Sequence, residues 1–166
     1  MLIVIAEKEE LKLVEELGYA NEPVLITGVG GINVIEALKD LPKDCEILNI
    51  GYAGSNYYKK GTIVEIIKVG TNHEIAKFVE PFKFLQVTHK YDETAYCYTN
   101  TDFVLKTNKT EHCVFDMELA FIRAMFNNVR AIKVVSDNLS FKQYKKNNQK
   151  KGDKKNDWKS KSKTSW

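Results

Sequence analysis

The chain has 166 residues, of which 43% are hydrophobic and 28% charged, an ordinary composition for a single globular domain. No apolar run approaches the roughly 20 residues that a membrane-spanning helix needs, and the opening MLIVIAEKEE lacks the basic flank of a signal peptide. The three cysteines are widely spaced, which indicates neither a disulfide framework nor a zinc motif. We therefore predict a cytoplasmic protein.

The net charge of +3 is unevenly distributed. From Lys142 onward the chain has ten lysines and two aspartates, whereas the rest has a net charge of −5. We predict one globular domain over residues 1–141 and a lysine-rich C-terminal helix or tail over 142–166. A basic tail can contact nucleic acid. This one has no arginine, no recognisable binding motif and no clear apolar stripe, so nucleic acid is not the expected partner.

Short β-rich runs alternate with helical patterns along the chain. The predicted strands are LIVIA, PVLIT, EILNIG, TIVEIIKVG, FKFLQVTH and AIKVVS, and the predicted helices are EKEELKLVEELG, INVIEALKDL and MELAFIRAMF. This alternation predicts an α/β fold, a three-layer sandwich with a central mixed, mostly parallel sheet. Ligands bind at the carboxyl ends of the strands in such sheets, so functional residues are expected at the strand-to-helix junctions.

The first three junctions offer one carboxylate and two glycine motifs. Glu10 shares a helix face with Leu13, Val14 and Leu17, which makes it a candidate general base, although an acid in the first turn also suits the helix dipole. The motifs TGVGGIN and NIGYAGSN let backbone approach a ligand closely, or they only turn the chain.

The later junctions offer an aromatic ring and three acids. Phe103, in YTNTDFV, could stack on a flat ring or belong to the core. In CVFDMELAFIRA, Asp116 and Glu118 flank Met117, and a carboxylate such as Glu118 can accept two hydroxyl donors or instead meet free helix N–H groups. Asp137, in AIKVVSDNLS, is either a helix N-cap or a buried acid that donates a proton.

The order of these motifs is more informative than any one of them. IAEKEEL, TGVGGINV, NIGYAGSN, TNTDFV, VFDMELAFI and VVSDN together resemble the purine nucleoside phosphorylase-I superfamily, and within it the 5′-methylthioadenosine/S-adenosylhomocysteine nucleosidases. The similarity runs from Met1 to about Ser140. The resemblance implies a nucleoside phosphorylase-like fold and hydrolysis of the N-glycosidic bond of an adenine nucleoside, with release of adenine.

The resemblance also implies roles for individual residues. Asp137, protonated, would donate to adenine N7, and Glu10 would orient and deprotonate the attacking water. Glu118 would bind the ribose hydroxyls. The other substrate-binding residues would be Met117 and Tyr52 near the sugar, Phe103 and Val104 at the adenine, and Ser136 beside the catalytic acid. Asp116 would support these groups or cap the helix.

Two features separate hydrolysis from phosphorolysis and adenine from other bases. The phosphorylases of this superfamily typically bind phosphate with arginines in early loops, whereas this chain has only Arg123 and Arg130, both late. Water is therefore the expected nucleophile, although lysines could bind phosphate. The carboxyl group of Asp137 can donate to N7 and accept from the exocyclic amine, which is the pattern that adenine presents.

The chain also departs from the nucleosidase pattern. Nucleosidases usually have serine where Tyr52 stands and arginine where Lys133 stands. These departures favour one alternative, a non-catalytic nucleoside-binding relative. The other alternative is a phosphate-dependent purine nucleoside phosphorylase that binds phosphate with lysines. The resemblance implies a homodimer and no cofactor, and the histidines (His73, His89, His112) show no metal-ligand spacing with the cysteines.

Overall fold

The computed structural model of the chain describes residues 1–71, 82–107, 109 and 111–140. Within these residues the chain forms eight strands and three α-helices, and a 3₁₀ turn over Lys8–Glu10 precedes the first helix. In chain order the elements are β1 (Leu2–Ile5), α1 (Leu11–Glu16), β2 (Val24–Ile26), α2 (Gly31–Leu38), β3 (Glu46–Gly54), β4 (Ile63–Thr71), β5 (Phe82–Phe84), β6 (Glu93–Thr99), β7 (Cys113–Asp116), α3 (Leu119–Met125) and β8 (Asn128–Asp137).

All eight strands belong to one sheet. Its order is β2-β1-β3-β7-β6-β4-β5, and β8 pairs with both β3 and β4. Among the described residues, five strand pairs are parallel and three are antiparallel. The predicted mixed, mostly parallel sheet is thus confirmed.

Helices cover both faces of this sheet. Side chains alternate between the two faces along each strand, so Ile3 and Ile5 of β1 pack towards α1 whereas Val4 packs towards the opposite face. On that opposite face α2 and α3 contribute the buried side chains Val34, Leu38, Leu119, Ala120 and Ile122. The predicted three-layer arrangement follows directly from this alternation.

One close contact between α2 and α3, on this opposite face, brings the beginnings of the two helices together. A Cβ built on Gly31 would lie 2.4 Å from the ring of Phe121. Only glycine therefore allows α3 to approach the beginning of α2 so closely. This contact places the loop before α2 beside the amino-terminal end of α3.

One predicted strand is shorter in the structure, and two observed strands, β6 and β7, are not among the predicted ones. The predicted strand FKFLQVTH is a strand only over Phe82–Phe84. Its ladder pairing with β4 is limited to these three residues. The strand β6 was not predicted, since its polar sequence hides an alternation in which Ala95, Cys97 and Thr99 are buried. The predicted tail over 142–166 lies outside the described residues. Within the described part of the chain, none of the helices is both long and apolar enough to cross a membrane.

Candidate active site

A cleft opens where β1, β3, β7 and β8 end. It is lined by segments that are far apart in the sequence, which the parallel strands bring to one edge of the sheet. The lining residues are Ala6, Glu7, Glu10, Val29, Tyr52, Ala53, Gly54, Phe103, Phe115, Asp116, Met117, Glu118, Ser136 and Asp137. Seven of the eight predicted site residues are therefore in this cleft.

Glu10 ends the 3₁₀ turn and is 5% exposed. Its Oε2 accepts hydrogen bonds from the backbone N–H groups of Ala6 (2.7 Å) and Glu7 (3.1 Å), and its Oε1 accepts one from the N–H of Tyr52 (2.9 Å). Burial raises the pKa of Glu10, while the Tyr52 N–H and the charge of Lys133 oppose that rise. The carboxyl group is thus fixed in place and prone to take up a proton, as a general base must be.

The two glycines of NIGYAGSN lie within β3 and do not turn the chain. A Cβ on Gly51 would lie 2.8 Å from Glu10 Oε1, and a Cβ on Gly54 would lie 3.1 Å from Asp137 Oδ1. The missing side chains therefore leave room for two carboxyl groups of the cleft. The close approach that the motif predicts is made by the protein's own acids.

Asp116, at the end of β7, is held on both oxygens by groups from three elements. Its Oδ1 accepts the hydroxyl of Thr99 (2.6 Å), and its Oδ2 accepts the N–H of Leu119 (3.0 Å) and the ammonium of Lys133 (2.8 Å). The Thr99 hydroxyl in turn accepts the N–H of Ala120 (2.9 Å). Asp116 therefore satisfies the first turn of α3, as the sequence predicts for a cap, and it also neutralises a buried lysine.

Glu118 does not cap α3 with its own side chain. Its Oε1 accepts the N–H of Gly30 (2.8 Å), and its Oε2 accepts that of Met117 at 3.3 Å. Burial, and then the neighbouring Asp116, raise the pKa of Glu118 to about 7, although Lys133 and Gly30 oppose the rise. The glycine motif TGVGGIN thus gives an N–H group to a carboxylate of the cleft.

Asp137 ends β8 and is 1% exposed. Its Oδ2 accepts the Ser136 hydroxyl at 2.7 Å, and its Oδ1 accepts the N–H of Ser140 at 3.3 Å. The second contact has the spacing of an N-cap, so the capping interpretation keeps its support. The first orients the carboxyl group at the cleft wall, beside the gap that Gly54 leaves.

The remaining predicted residues divide between the cleft and its surroundings. Phe103 and Met117 line the cleft, and Val104 lies in an adjoining pocket with both of them. Tyr52 lines the cleft as well, but its ring packs against the hydrophobic cluster beneath α1, and burial followed by Glu10 raises its pKa. Its backbone N–H, rather than its ring, is what contacts a predicted catalytic group.

Lys133, Thr99 and Gly30 were not among the predicted site residues, although the sequence analysis noted Lys133 as a departure from the nucleosidase pattern. The signal for Lys133 was available: a lysine in the middle of the apolar strand AIKVVS must find a buried acid, because an isolated buried charge is too costly. Thr99 and Gly30 act through single hydrogen bonds over long sequence separations, for which the sequence has no signal. Among the described residues, no group of three or more His, Cys, Asp and Glu side chains is placed to bind a metal ion.

No protein-family model matches the chain, and no curated protein does. Solved structures do. A 5′-methylthioadenosine/S-adenosylhomocysteine nucleosidase (MTAN) from Chlamydia trachomatis is 17% identical to this chain, with a TM-score of 0.68. The match covers 88% of this chain and 87% of that one. The 5′-methylthioadenosine/S-adenosylhomocysteine nucleosidase of Neisseria meningitidis, in complex with methylthio-immucillin-A, is 15% identical with a TM-score of 0.66, over 87% and 90%. These likenesses establish the predicted nucleoside phosphorylase-like fold.

A third structure is an MTAN from Helicobacter pylori in which an aspartate is replaced by asparagine, with 5′-methylthioadenosine in its active site. It is 12% identical with a TM-score of 0.69, and the match covers 89% of each chain. At such identities the common property is the fold.

Proposed function

We propose that this protein hydrolyses the N-glycosidic bond of an adenine nucleoside, such as 5′-methylthioadenosine or S-adenosylhomocysteine, and releases adenine. The observation that carries the proposal is the gathering of Glu10, Glu118 and Asp137 in one cleft, on a fold that known nucleosidases share. Each of the three is at least nine-tenths buried, and each comes from a different element: the 3₁₀ turn, the start of α3 and the end of β8. They can therefore serve the water, the sugar and the base separately.

The chemistry divides among these three side chains. Glu118 would accept hydrogen bonds from the ribose hydroxyls, with Met117 against the sugar, and Phe103 would lie against the base with Val104 near its edge. Asp137, supported by Ser136, would give its proton to N7 as the bond from C1′ to N9 breaks. Glu10 would take a proton from the water whose oxygen attacks C1′. The two proton transfers balance, since water supplies what the departing adenine gains.

The charge of the cleft favours water over phosphate as the nucleophile. Five of its lining residues are acidic and, in the part of the chain that the structure describes, none of them is Lys or Arg. Lys133, just behind the wall, is bound to Asp116 at 2.8 Å. A phosphate anion would meet several carboxyl groups there, whereas a water molecule would find acceptors for its protons.

The first test is release of free base from methylthioadenosine, S-adenosylhomocysteine, adenosine and inosine, each with and without phosphate. We expect adenine from the adenine nucleosides without phosphate, and a loss of about 10²- to 10⁴-fold in Asp137→Asn, since that variant cannot protonate N7. Asp40→Asn, at an exposed position after α2, is the matched control. Strict dependence on phosphate would instead identify a phosphorylase, and binding without base release a non-catalytic relative.

A homodimer is the second part of the proposal. Ile32 is 85% exposed and Ile35 46% exposed on neighbouring turns of α2, and Ile26 and Val29 extend this apolar face to the edge of the cleft. A second copy bound there would cover these side chains. Light scattering should give the mass of two chains, and Ile32→Lys should give one. Phe84→Lys, at an exposed side chain on β5, should leave the dimer intact.

We also propose that the protein acts in the cytoplasm. Cys97 and Cys113 are buried, Cys45 is half-buried, and all three are free thiols, as in a reducing compartment. With methylthioadenosine as the substrate, the reaction would belong to methionine salvage. Fractionation of cells that produce the full chain tests the location directly.

A further inference from the structure

Asp116 in the cleft wall and Lys133 behind it form a charged pair that the proposed reaction does not use directly. The side chain of Lys133 is 1% exposed and that of Asp116 is fully buried, and their charged atoms are 2.8 Å apart. A buried pair of this kind is costly to desolvate and is often no more stable than apolar residues of the same volume. Its presence at this position therefore calls for a function beyond stability.

The pair connects the elements that present the predicted catalytic and binding groups. Lys133 lies on β8, four residues before Asp137, and Asp116 lies two residues before Glu118. Through Asp116 the lysine is joined to the backbone N–H of Leu119, and through the Thr99 hydroxyl to that of Ala120. The first turn of α3, and with it Glu118, is thus fixed relative to β8.

The lysine also faces the acids of the cleft itself. A Cβ placed on Gly51 would lie 2.8 Å from Glu10 Oε1 and 3.5 Å from the Lys133 ammonium nitrogen, so these two groups share one side of β3. Burial alone would lower the pKa of Lys133, but Asp116, Cys97 and Glu118 raise it further than burial lowers it. The charge of Lys133 in turn opposes the rise in pKa of both Glu10 and Glu118.

We propose that Lys133 is a positioning residue for the cleft: its ammonium group, fixed by Asp116, keeps Glu118 and Glu10 available as carboxylates at the same time. Without that cation three buried acids would stand together, and like charges in one site cannot all ionise near neutral pH. The inference rests on the proposed function, in which Glu118 binds ribose hydroxyls and Glu10 activates water. Lys133 itself touches neither, because Asp116 occupies its charged end.

The groups that face Glu118 define what any test of this proposal must separate. From β7 it faces Asp116, from β8 Lys133, from the 3₁₀ turn Glu10, and from the loop before α2 the Gly30 N–H. Of these groups, Lys133 and Asp116 bear opposite charges and form an ion pair with each other. Removing either partner breaks the same contact, but the two removals change the electrostatic potential at Glu118 in opposite directions.

That opposition supplies the experiment. The titration of Glu118 is followed by carboxyl-carbon NMR on the full chain labelled at glutamate, without substrate, and Glu118→Gln assigns its signal. We expect the midpoint to rise by at least about one pH unit in Lys133→Met and to fall in Asp116→Asn, whereas Lys133→Arg, which keeps the charge, stays near the wild-type value. Lys12→Met, at an exposed lysine on α1, should change nothing.

A purely structural ion pair predicts a different pattern. Both Lys133→Met and Asp116→Asn would then move the midpoint in the same direction or leave it unchanged, and either result would overturn the proposal. If Lys133→Met does not fold, the near-isosteric Asp116→Asn decides alone, since a midpoint that rises or stays contradicts the inference. Adenine release is assayed separately, so a protein that shows the opposite shifts but no hydrolysis would refute only the proposed function.

Discussion

Strand β8 forms two ion pairs only three residues apart, in very different surroundings. Near its amino end, Arg130 lies 3.6 Å from Glu46, and their side chains are 19% and 52% exposed. Further along, Lys133 lies 2.8 Å from Asp116, and both side chains are enclosed. The first pair is longer and partly open to solvent, and the second is enclosed and shares its acid with two other donors. Position relative to water, rather than residue type, distinguishes them.

The comparison shows where this fold concentrates its electrostatic energy. An exposed pair gains little, because water already solvates both charges. A buried pair is strongly interdependent, since loss of one partner strands the other in a low-dielectric environment. In this protein the interdependent pair lies at the carboxyl ends of the strands, beside the candidate active site, and the independent pair lies away from it.

The largest expected difference is between equivalent substitutions in the two pairs. Lys133→Met should lower the free energy of unfolding by about 3–5 kcal/mol, because it leaves Asp116 as an unpaired buried charge. Arg130→Met should lower it by no more than about 1 kcal/mol. Urea unfolding followed by circular dichroism measures both values.

Equal losses for the two substitutions would show that burial does not distinguish the pairs. A Lys133→Met variant with nearly the wild-type unfolding free energy would have the same meaning, because the unpaired charge of Asp116 would then not destabilise the fold.

Much of the fold was predictable because its signals are local. The apolar runs of β1, β3 and β8 and the 3.6-residue pattern of α3 indicated strands and helices in alternation, and the junctions followed from the parallel topology. The strand β6 was not predicted, because its apolar face consists of small or polar side chains such as Ala95 and Thr99. Its place in the sheet depends on pairing with β4 and β7, which only the tertiary structure reveals.

The candidate site was predictable in its residues more than in its connections. Glu10, Glu118 and Asp137 stood out because acids are unusual at half-buried junctions. Their hydrogen bonds to the backbone of Tyr52 and Gly30 depend on how distant segments meet, and the sequence has no marker for that. Tyr52 was predicted near the sugar, and it lines the cleft while its ring also packs against the cluster beneath α1, a contact that the sequence does not indicate.

The titration of Glu118 provides the next contrast, since here burial prevails over pairing. Its pKa of about 7 in the folded protein exceeds the ordinary 4.5, so its stabilising contribution is complete below pH 4.5 and is lost as the pH rises through 7. Glu118→Gln mimics the protonated acid. The unfolding free energy of this variant should equal that of the wild type near pH 4.5. Above pH 7 it should exceed the wild-type value by about 3 kcal/mol.

Unfolding free energies of both proteins across this pH range test the expectation. A difference that stays constant with pH would mean that Glu118 titrates alike in the folded and unfolded chains. Lys133 would then be compensating it fully, as it compensates Asp116, and the distinction between a paired and an unpaired buried acid would fail.

A smaller effect should appear where backbone space, rather than charge, is changed. Gly51→Ala places a methyl group 2.8 Å from Glu10 Oε1, which a flexible side chain can avoid only by leaving the Tyr52 N–H. We expect a loss of stability below about 1 kcal/mol but a drop of about tenfold in the rate of adenine release, equivalent to about 1.4 kcal/mol in the barrier.

Gly61→Ala is the matched control for that substitution. Its φ of +89° strains an alanine although nothing lies within 4 Å of the new methyl group, so stability should fall while the rate is unchanged. A rate that falls equally in both variants would indicate general loosening of the fold instead of displacement of Glu10.

The smallest expected effect belongs to the exposed pair. In a double-mutant cycle with Arg130→Met and Glu46→Gln, the coupling energy should be below about 1 kcal/mol. It should vanish as sodium chloride rises from about 0.05 M to about 0.5 M, because the screening length shrinks towards the separation of the charges. The corresponding cycle for Lys133 and Asp116 should keep its coupling, since salt does not enter an enclosed pair. Equal salt sensitivity in the two cycles would mean that water reaches the ammonium group of Lys133. Glu118 and Glu10 would then be screened by solvent, and the charge of Lys133 would not be needed to keep both of them ionised.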